Sequence, residues 1–472
     1  MPRYSRPPLG FAVLLLLALA TPATAQSRLA AGDSALAAEI LEELIETPSV
    51  SATPEAVRAA QTAAERLLTA GFTAEDVEVT GPPGQAWNLV ARYRGTGGGP
   101  PILLMAHLDV VPAERSDWSY EPFALTLEEG WWYGRGTTDN KAGAAILLAN
   151  FIRWRTEGWT PVRDLVMVLT GDEETTSDGI KWLLANHPWL KEAALALNTD
   201  AGGGVLEEGR ETIFDVQASE KIYFTVRLEI THAGGHSSIP TPDNAIVTLA
   251  RGLVRLAAHR FPIRPTEVTR AFFARMAGVD CGPLAEAMRA VAAEPPDSSA
   301  AERLAEALPL YNSLLRTTCV ATRLEAGHAD NALPQSARAT VNCRILPGGS
   351  AEQVEATLRE VLEDDRITIE RVNVPTPSPP SPLTPEVLDP IEAIVAEMWP
   401  GVPVVPSMST GATDGLYVRN AGIPVYGVSA IFESLDDVRA HGRDERIDPR
   451  RFYQALEFWR RLVQRLASQP AR

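Results

Sequence analysis

Cysteine is scarce in this sequence, with only Cys281, Cys319 and Cys343 among 472 residues. The three form no Cys-x-x-Cys pair, which argues against a zinc site built from thiolates. Cys319 and Cys343 lie in two strand-like segments. They either pair as a disulfide, which export would permit, or fill space as small buried apolar side chains. Spacing alone does not decide between these alternatives.

Positive charge is also in short supply: 43 Lys and Arg stand against 60 Asp and Glu, for a net charge of −17. No basic stripe interrupts this acidic balance, so the composition argues against nucleic acid or an anionic membrane as the main partner. Internal repeats are absent. The chain is 45% hydrophobic, and its length is enough for a sizeable core and two domains.

Long apolar runs are missing except at the N-terminus. Arg3 and Arg6 give that end a positive charge, residues 11–20 are apolar, and residues 23–25 read Ala-Thr-Ala, as at a signal-peptidase site. The apolar stretch is too short for a comfortable transmembrane span. We therefore predict a signal peptide at residues 1–25 and a secreted or periplasmic protein that has no membrane attachment after cleavage.

Residues 102–107 form an apolar run that ends in histidine. A Gly/Pro-rich turn at residues 97–101 precedes this run, which predicts a buried strand. Residues i and i+2 of a strand project to the same face, so His107 and Asp109 are expected side by side at its C-terminal end. Open α/β sheets place their sites at that edge. The pair is either a metal-binding histidine with its orienting carboxylate or a histidine that is simply hydrogen-bonded at a strand end.

Three further segments end in carboxylates. Asp139 follows a glycine-rich turn and precedes a helix, where it is either an N-cap or a metal ligand. A buried strand at residues 164–170 leads into the acidic residues 172–174, which repel one another unless they are solvated or face a cation. Another strand leads to Asp200. One histidine with separated carboxylate oxygens and no cysteine is the donor set of a metal site at a sheet edge.

The pattern changes near residue 220, where strands with alternating apolar residues and long helical segments follow. These segments predict a two-layer α+β insertion; they are strands at 221–230, 314–322, 337–345 and 367–374, and helices at 244–259, 260–310 and 350–363. The proline-rich residues 374–382 are either a linker or an ordered connection back to the first domain. The last segment returns to an α/β pattern.

Taken in this order, the motifs resemble the M20 metallopeptidase family. The most similar branch is the carboxypeptidase S-like one, which includes exported N-acyl-amino-acid hydrolases. The resemblance spans nearly all of the mature chain and depends on six separated motifs. It implies an α/β, three-layer zinc-peptidase catalytic domain with an inserted α+β ferredoxin-like lid domain. The implied boundaries are 26–217 and 374–472 for the catalytic domain and 218–373 for the lid and dimerisation domain.

The resemblance also implies two zinc ions, with Co²⁺ or Mn²⁺ as substitutes. His107 and Asp200 match the ligands of one metal, and Asp139 matches the bridging carboxylate. Glu174 and His441 match the ligands of the second metal.

Further positions match catalytic and substrate-binding residues of the family. Glu173 matches the general base, and Asp109 matches the carboxylate that orients His107. The lid histidine that steadies the oxyanion, often from the other subunit of a dimer, matches His236. The positions that contact substrate match Asn331, Arg344, Gly411, Ala412 and Thr413. An arginine suits a free carboxylate, since its fork binds both oxygens.

These residues predict an exported di-zinc hydrolase that cleaves an amide bond next to a free C-terminal carboxylate. It would act as a carboxypeptidase or N-acyl-amino-acid amidohydrolase, through a metal-bound hydroxide with Glu173 as base. A dipeptidase or a deacylase of another small amide is the alternative within enzymes. A non-catalytic peptide-binding protein is a remote alternative that predicts a lost ligand or base, and none is lost here. The expected partners are a peptide or N-acyl amino acid and a second copy of the chain bound through the lid, with no nucleic acid.

Overall fold

The computed structural model describes residues 31–51, 53–85, 87–279 and 282–469. The predicted signal peptide at residues 1–25 lies outside these ranges, and so does Cys281. Among the helices of the described residues, none combines the length and the apolar character needed to cross a membrane.

Helices and strands alternate along most of the described chain. The helices are α1 (Ala31–Glu46), α2 (Pro54–Thr69), α3 (Lys141–Glu157), α4 (Asp178–Asn186), α5 (Ala245–Ala258), α6 (Glu267–Val279), α7 (Leu284–Ala292), α8 (Ser298–Ala307), α9 (Pro309–Leu315), α10 (Ala351–Leu362), α11 (Pro385–Met398), α12 (Gly415–Asn420) and α13 (Pro449–Ala467). The strands are β1 (Val77–Thr80), β2 (Asn88–Tyr93), β3 (Ile102–His107), β4 (Thr126–Glu128), β5 (Trp131–Tyr133), β6 (Leu165–Thr170), β7 (Leu195–Asn198), β8 (Gly203–Glu207), β9 (Arg210–Glu220), β10 (Ile222–Thr231), β11 (Gly235–His236), β12 (Thr318–Ala326), β13 (Ala332–Leu333), β14 (Ser336–Ile345), β15 (Thr368–Arg371), β16 (Val404–Ser409), β17 (Val425–Gly427), β18 (Phe432–Ser434) and β19 (Arg446–Ile447).

Local sequence signals fix several helix ends. The side chain of Asn244 accepts a hydrogen bond from the N–H of Val247 and so caps α5, and Asp448 caps α13 in the same way. Such caps satisfy backbone donors that the first helical turn leaves unpaired. Gly158 ends α3 with φ 71°, a left-handed conformation that costs glycine little.

The larger sheet has ten strands in the order β1-β2-β6-β3-β7-β17-β9-β8-β18, with β16 paired to β9. In β3, Leu104 faces the core shared with α1, α2, α3 and α13, whereas Leu103 and Met105 face the core shared with α4 and α12. Every residue of β3 and β6 is buried, because helices cover both faces of these parallel strands. The three-layer α/β prediction is confirmed.

The smaller sheet has four antiparallel strands in the order β12-β14-β10-β15, and α5 and α10 pack on one face. Along the chain the order is β10-α5-β12-β14-α10-β15, which is the ferredoxin-like arrangement that was predicted. A disulfide joins Cys319 to Cys343, which are register partners on β12 and β14. The strand predicted from residue 314 begins at Thr318, because α9 continues to Leu315.

Helices α6 to α9 follow α5 in the chain but pack elsewhere. Their buried residues, such as Val268, Phe273 and Leu304, belong to the core of the larger sheet rather than to that of the smaller one. The predicted lid boundaries at 218 and 373 therefore stay a prediction. The proline-rich segment is an ordered connection, since Ser378 and Ser381 are buried in it.

Candidate metal centre

Parallel strands gather the predicted ligands at one edge of the larger sheet. Strands β6, β3 and β7 are neighbours and run parallel, so their C-terminal ends meet. His107 ends β3, Glu173 and Glu174 follow β6, and Asp200 follows β7. Asp139 precedes α3 in a separate loop, and the loop before β19 supplies His441.

Asp139 lies between two histidines. Its Oδ1 is 2.9 Å from Nε2 of His107, and its Oδ2 is 3.1 Å from Nε2 of His441. Oδ1 of Asp200 also approaches His107, at 3.5 Å from the same Nε2. His441 Nε2 is also 2.9 Å from Oε2 of Glu174. One carboxylate thus faces both histidines, as a bridging ligand would.

Two groups of donor atoms are compact enough to hold a metal ion. In each group the ligand atoms lie within 4.8 Å of one another. One consists of His107, Asp139 and Glu174, and the other of His107, Glu173 and Asp200. Imidazole nitrogens with carboxylate oxygens fit divalent zinc, cobalt or manganese.

The carboxyl groups crowd one another in a buried setting. Burial, reinforced by the charge of Asp139, raises the pKa of Glu174 to about 7. Burial also raises the pKa of Asp200 to about 6 and, together with the charge of Asp200, raises that of Glu173 well above its usual value. Burial opposes ionisation of Asp139 as well, but hydrogen bonds from His107 and His441 outweigh it and lower its pKa. A cation between these groups would relieve the repulsion.

Asp109 holds the acidic turn through its carboxylate. Oδ1 accepts the N–H of Glu173 at 3.1 Å, Oδ2 accepts the N–H of Glu174 at 3.0 Å, and Ser51 donates its hydroxyl to Oδ2. The nearest partner of His107 Nδ1 is the main-chain oxygen of Asp109 at 3.0 Å, with the carboxylate at 3.5 Å. The orientation of His107 by that carboxylate stays a prediction.

A cavity of about 530 Å³ opens beside these donors. Its lining includes Arg344, Tyr223 and the turn at residues 411–413, together with Asp139, Glu173, Glu174, Asp200 and His441. The guanidinium of Arg344 lies 4.7 Å from the centre of the Tyr223 ring, and its Nε donates to Asn342 at 3.3 Å. Burial lowers the pKa of Arg344, and among the described residues no carboxylate raises it. Arg344 is therefore available to an anion in the cavity.

The other two predicted lid residues lie outside this cavity lining. His236 is exposed on β11, where its Nδ1 contacts the hydroxyl of Ser238 at 2.8 Å. Asn331 is exposed, and its main-chain oxygen accepts the N–H of Ser237 at 3.0 Å. Within one chain, therefore, the structure brings Arg344 to the donor cluster but not His236 or Asn331.

Sequence reasoning missed the buried ion pair of Glu220 and Arg419. Both side chains are at most 2% exposed, and Oε2 of Glu220 accepts the N–H of Thr413 at 2.9 Å. The pair thus supports the turn at residues 411–413. The partners are 199 residues apart, and no local pattern connects them.

The tryptophans between residues 118 and 132 pack rather than face the cavity. Trp118 is buried beneath the guanidinium of Arg135, 5.0 Å from ring centre to carbon. The ring of Trp131 lies 4.2 Å from the guanidinium carbon of Arg446. Neither ring belongs to the cavity lining.

Comparison with known proteins identifies the family and the fold. A model of the peptidase family M20/M25/M40 matches residues 103–465. The human N-fatty-acyl-amino acid synthase/hydrolase is 30% identical, and the match covers 77% of this chain and 74% of that protein. A probable carboxypeptidase S-like protein from Dictyostelium discoideum is 27% identical over 80% of this chain and 74% of its own length. The structure of an M20 family metallo-carboxypeptidase from Sulfolobus solfataricus superposes with a TM-score of 0.69 at 20% identity, covering 91% of this chain and 99% of that one.

Proposed function

This chain belongs to the peptidase family M20/M25/M40 and is a carboxypeptidase-like metallohydrolase, and we propose that it uses two metal ions to cleave an amide bond next to a free carboxylate. The observation that carries this proposal is the position of Asp139 between His107 and His441, in the same cavity as Arg344. The guanidinium of Arg344 contacts Asn342 and Tyr223 but forms no ion pair among the described residues. The relatives named above support N-acyl amino acids and short peptides as substrates.

The proposed ligands divide into two sets that share one residue. His107 and Asp200 would hold the first ion, Glu174 and His441 would hold the second, and Asp139 would contact both. Two divalent cations supply Lewis acidity, which lowers the pKa of a water and polarises the scissile carbonyl. Zinc is the proposed metal, with Co²⁺ or Mn²⁺ as substitutes, since imidazole and carboxylate donors accommodate all three.

Glu173 is proposed as the general base. Burial and the charge of Asp200 raise its pKa, and a carboxylate placed beside the attacking water can accept a proton from it. It would accept a proton from the attacking water as the new C–O bond forms. It would then give that proton to the leaving nitrogen as the C–N bond breaks.

Arg344 and the turn at residues 411–413 are proposed to hold the substrate carboxylate. A guanidinium can donate two parallel hydrogen bonds to a carboxylate. The turn lines the same cavity as Arg344. The N–H groups of Gly411 and Thr413 already donate to the hydroxyl of Ser409 and to Glu220, so the N–H of Ala412 is the one proposed to face the substrate. The amide next to that carboxylate would then lie beside the proposed metal ligands.

A homodimer joined through the smaller sheet is the proposed assembly. Strand β12 is an edge strand whose Val320 and Leu324 are 58% and 62% exposed, and Val254 on the adjacent α5 is 69% exposed. Exposed apolar side chains on an edge strand favour pairing with another chain. In such a dimer His236 and Asn331 would reach the site of the other subunit. Export by the N-terminal signal remains part of the proposal.

The test is hydrolysis of N-acyl amino acids, N-fatty-acyl amino acids and dipeptides, each paired with its C-terminal amide. We expect activity that a chelator removes, that zinc restores, and that the amides largely lack. Equal rates on acids and amides would contradict the carboxylate site and favour a general deacylase. Release that chelation leaves unchanged would contradict the metal mechanism.

A variant pair locates the carboxylate site. Arg344→Gln should raise KM for the acids and leave the slow rate on the amides unchanged. Arg210→Gln is the matched control, because Arg210 is 79% exposed on β9 of the larger sheet and lies outside the cavity lining. A KM that is unaltered in Arg344→Gln would remove Arg344 from substrate binding.

A further inference from the structure

A buried ion pair joins the two loops that carry Asp139 and His441, next to the point where β5 pairs with β19. We propose that Arg135 and Glu445 form a reciprocal clasp that sets the distance between Asp139 and His441 and thereby the metal affinity. Both are positioning residues, since neither belongs to the donor groups or to the cavity lining. The inference rests on the proposed function, because it takes Asp139 and His441 as metal ligands.

Glu445 holds the loop of Asp139. Its Oε1 accepts the N–H of Thr138 at 2.8 Å, the hydroxyl of Thr138 at 3.0 Å and the N–H of Asp139 at 3.1 Å. Its Oε2 accepts the N–H of Gly136 at 3.0 Å and Nη1 of Arg135 at 2.7 Å. The side chain is fully buried. Five donors thus fix one carboxylate, and through it the backbone that leads into Asp139.

Arg135 holds the loop of His441 in return. Its Nη2 donates to the main-chain oxygen of Gly442 at 2.9 Å, directly after His441 in the chain. Its guanidinium stacks on the ring of the buried Trp118, and 3% of the side chain is exposed. Each loop therefore contributes one charged side chain that bonds the backbone of the other.

The loop of His441 needs such a fastening, because packing does not hold the histidine. The side chain of His441 is 55% exposed. The backbone of His441 has φ 62° and that of Asp444 has φ 54°, in the left-handed region that non-glycine residues rarely occupy. A loop in this conformation keeps its shape only while its contacts persist. Loss of the clasp should therefore move His441 relative to Asp139.

The test is the zinc affinity of Glu445→Gln, measured by competition with a chelator on the full chain. Glu445 accepts from the five donors through both of its carboxylate oxygens. A glutamine has only one acceptor oxygen, so some of these donors would lose their acceptor. We expect zinc to bind about 10–100-fold more weakly, the usual effect of losing a residue that orients ligands. A merely structural pair would lower the stability of the metal-free protein and leave the zinc affinity unchanged.

A matched control is available at the opposite end of the strands. Asp164 also accepts hydrogen bonds from an arginine and a backbone amide, with Arg92 Nε at 2.7 Å and the N–H of Gly95 at 2.7 Å. It directly precedes β6, whereas the proposed ligands follow the C-terminal strand ends. Asp164→Asn should keep the zinc affinity of the wild type. An equal loss of affinity in this control would overturn the clasp.

Two more variants distinguish a wrong metal assignment from a wrong role for the clasp. Asp139→Asn should itself lose zinc; if it keeps both ions, the proposed metal assignment fails. If Asp139→Asn loses zinc and Glu445→Gln binds like the wild type, the clasp alone is overturned. Should Glu445→Gln not fold, Arg135→Lys decides, since it keeps the charge but cannot occupy both guanidinium positions. A several-fold weaker affinity supports the clasp, and an unchanged one overturns it.

Discussion

The adjacent glutamates Glu173 and Glu174 face different partners in this site. Asp109 accepts the N–H groups of both Glu173 and Glu174, so one carboxylate fixes the backbone of both. Glu174 then reaches His441 at 2.9 Å, whereas Glu173 groups with His107 and Asp200. This divergence allows one glutamate to act as a ligand and the other to handle a proton.

Glu173→Gln should separate these two roles. We expect zinc content to remain and turnover to fall by about 10²–10⁴-fold, because an amide cannot accept the proton of the attacking water. Glu174→Gln serves as the contrast and should lose bound zinc. Metal analysis with steady-state kinetics checks both variants. A turnover of Glu173→Gln close to that of the wild type would remove Glu173 as the base.

Asp215 gives a pH-dependent contribution to stability. Burial raises its pKa to about 7 from an ordinary value of 3.8, while Ser407 donates a hydrogen bond to it at 2.8 Å. Between these pH values the native chain keeps a proton that the unfolded chain has released. The contribution of Asp215 is therefore full below about pH 4 and declines as the pH rises to about 7.

The Asp215→Asn variant tests this dependence, because its amide resembles the neutral carboxyl. We expect the free energies of unfolding of variant and wild type to be similar near pH 4. The variant should gain relative stability as the pH rises and hold a constant advantage above pH 7. Other titrating groups are common to both proteins, so the difference reports Asp215. A difference that does not change between pH 4 and pH 8 would contradict the shifted pKa.

At the scale of elements, the disulfide joins β12 to β14 across 24 residues of sequence. A crosslink of this kind restricts the unfolded chain and typically stabilises by about 2–4 kcal/mol. In the double variant Cys319→Ser, Cys343→Ser, the structural opening that exposes the backbone amides of β12 and β14 should therefore cost less free energy. Hydrogen exchange of these amides measures this change. Cys281→Ser is the control and should leave these amides unchanged. Unaltered protection in the double variant would contradict the contribution of the crosslink.

The ligand-bearing strands were predictable because their signals are local. Strand β3 is an apolar run that ends in a histidine, and carboxylates follow β6 and β7 within a few residues. Parallel strands bring such ends together. The clasp was not predictable, since Arg135 and Glu445 are 310 residues apart. The placement of α6 to α9 on the larger core also escaped prediction, because an amphipathic helix shows which side it buries but not which sheet it meets.

At the scale of the whole molecule, the proposed dimer would complete each site with the His236 of the other subunit. We expect the protein to sediment as a dimer and Leu324→Lys to sediment as a monomer, because a charge would enter the exposed apolar strip of β12. Glu325→Gln on the same strand is the control and should remain dimeric. A wild-type monomer with full activity would contradict the dimer.

Complementation tests the exchange of His236 between subunits. His236→Ala and Glu173→Gln should each be inactive alone. Refolded together, half of the dimers are mixed, and each mixed dimer has one site with both residues intact. Activity should then return to about a quarter of that of the wild type. No recovery in verified mixed dimers would place His236 in its own subunit's site or outside catalysis.

The most direct test of the account is an anomalous difference map from crystals grown with zinc. We predict two peaks beside the C-terminal ends of β3, β6 and β7, with Asp139 contacting both. His107 and Asp200 should contact one ion, and Glu174 and His441 should contact the other. A single peak, or two peaks that do not share Asp139, would contradict the proposed metal centre.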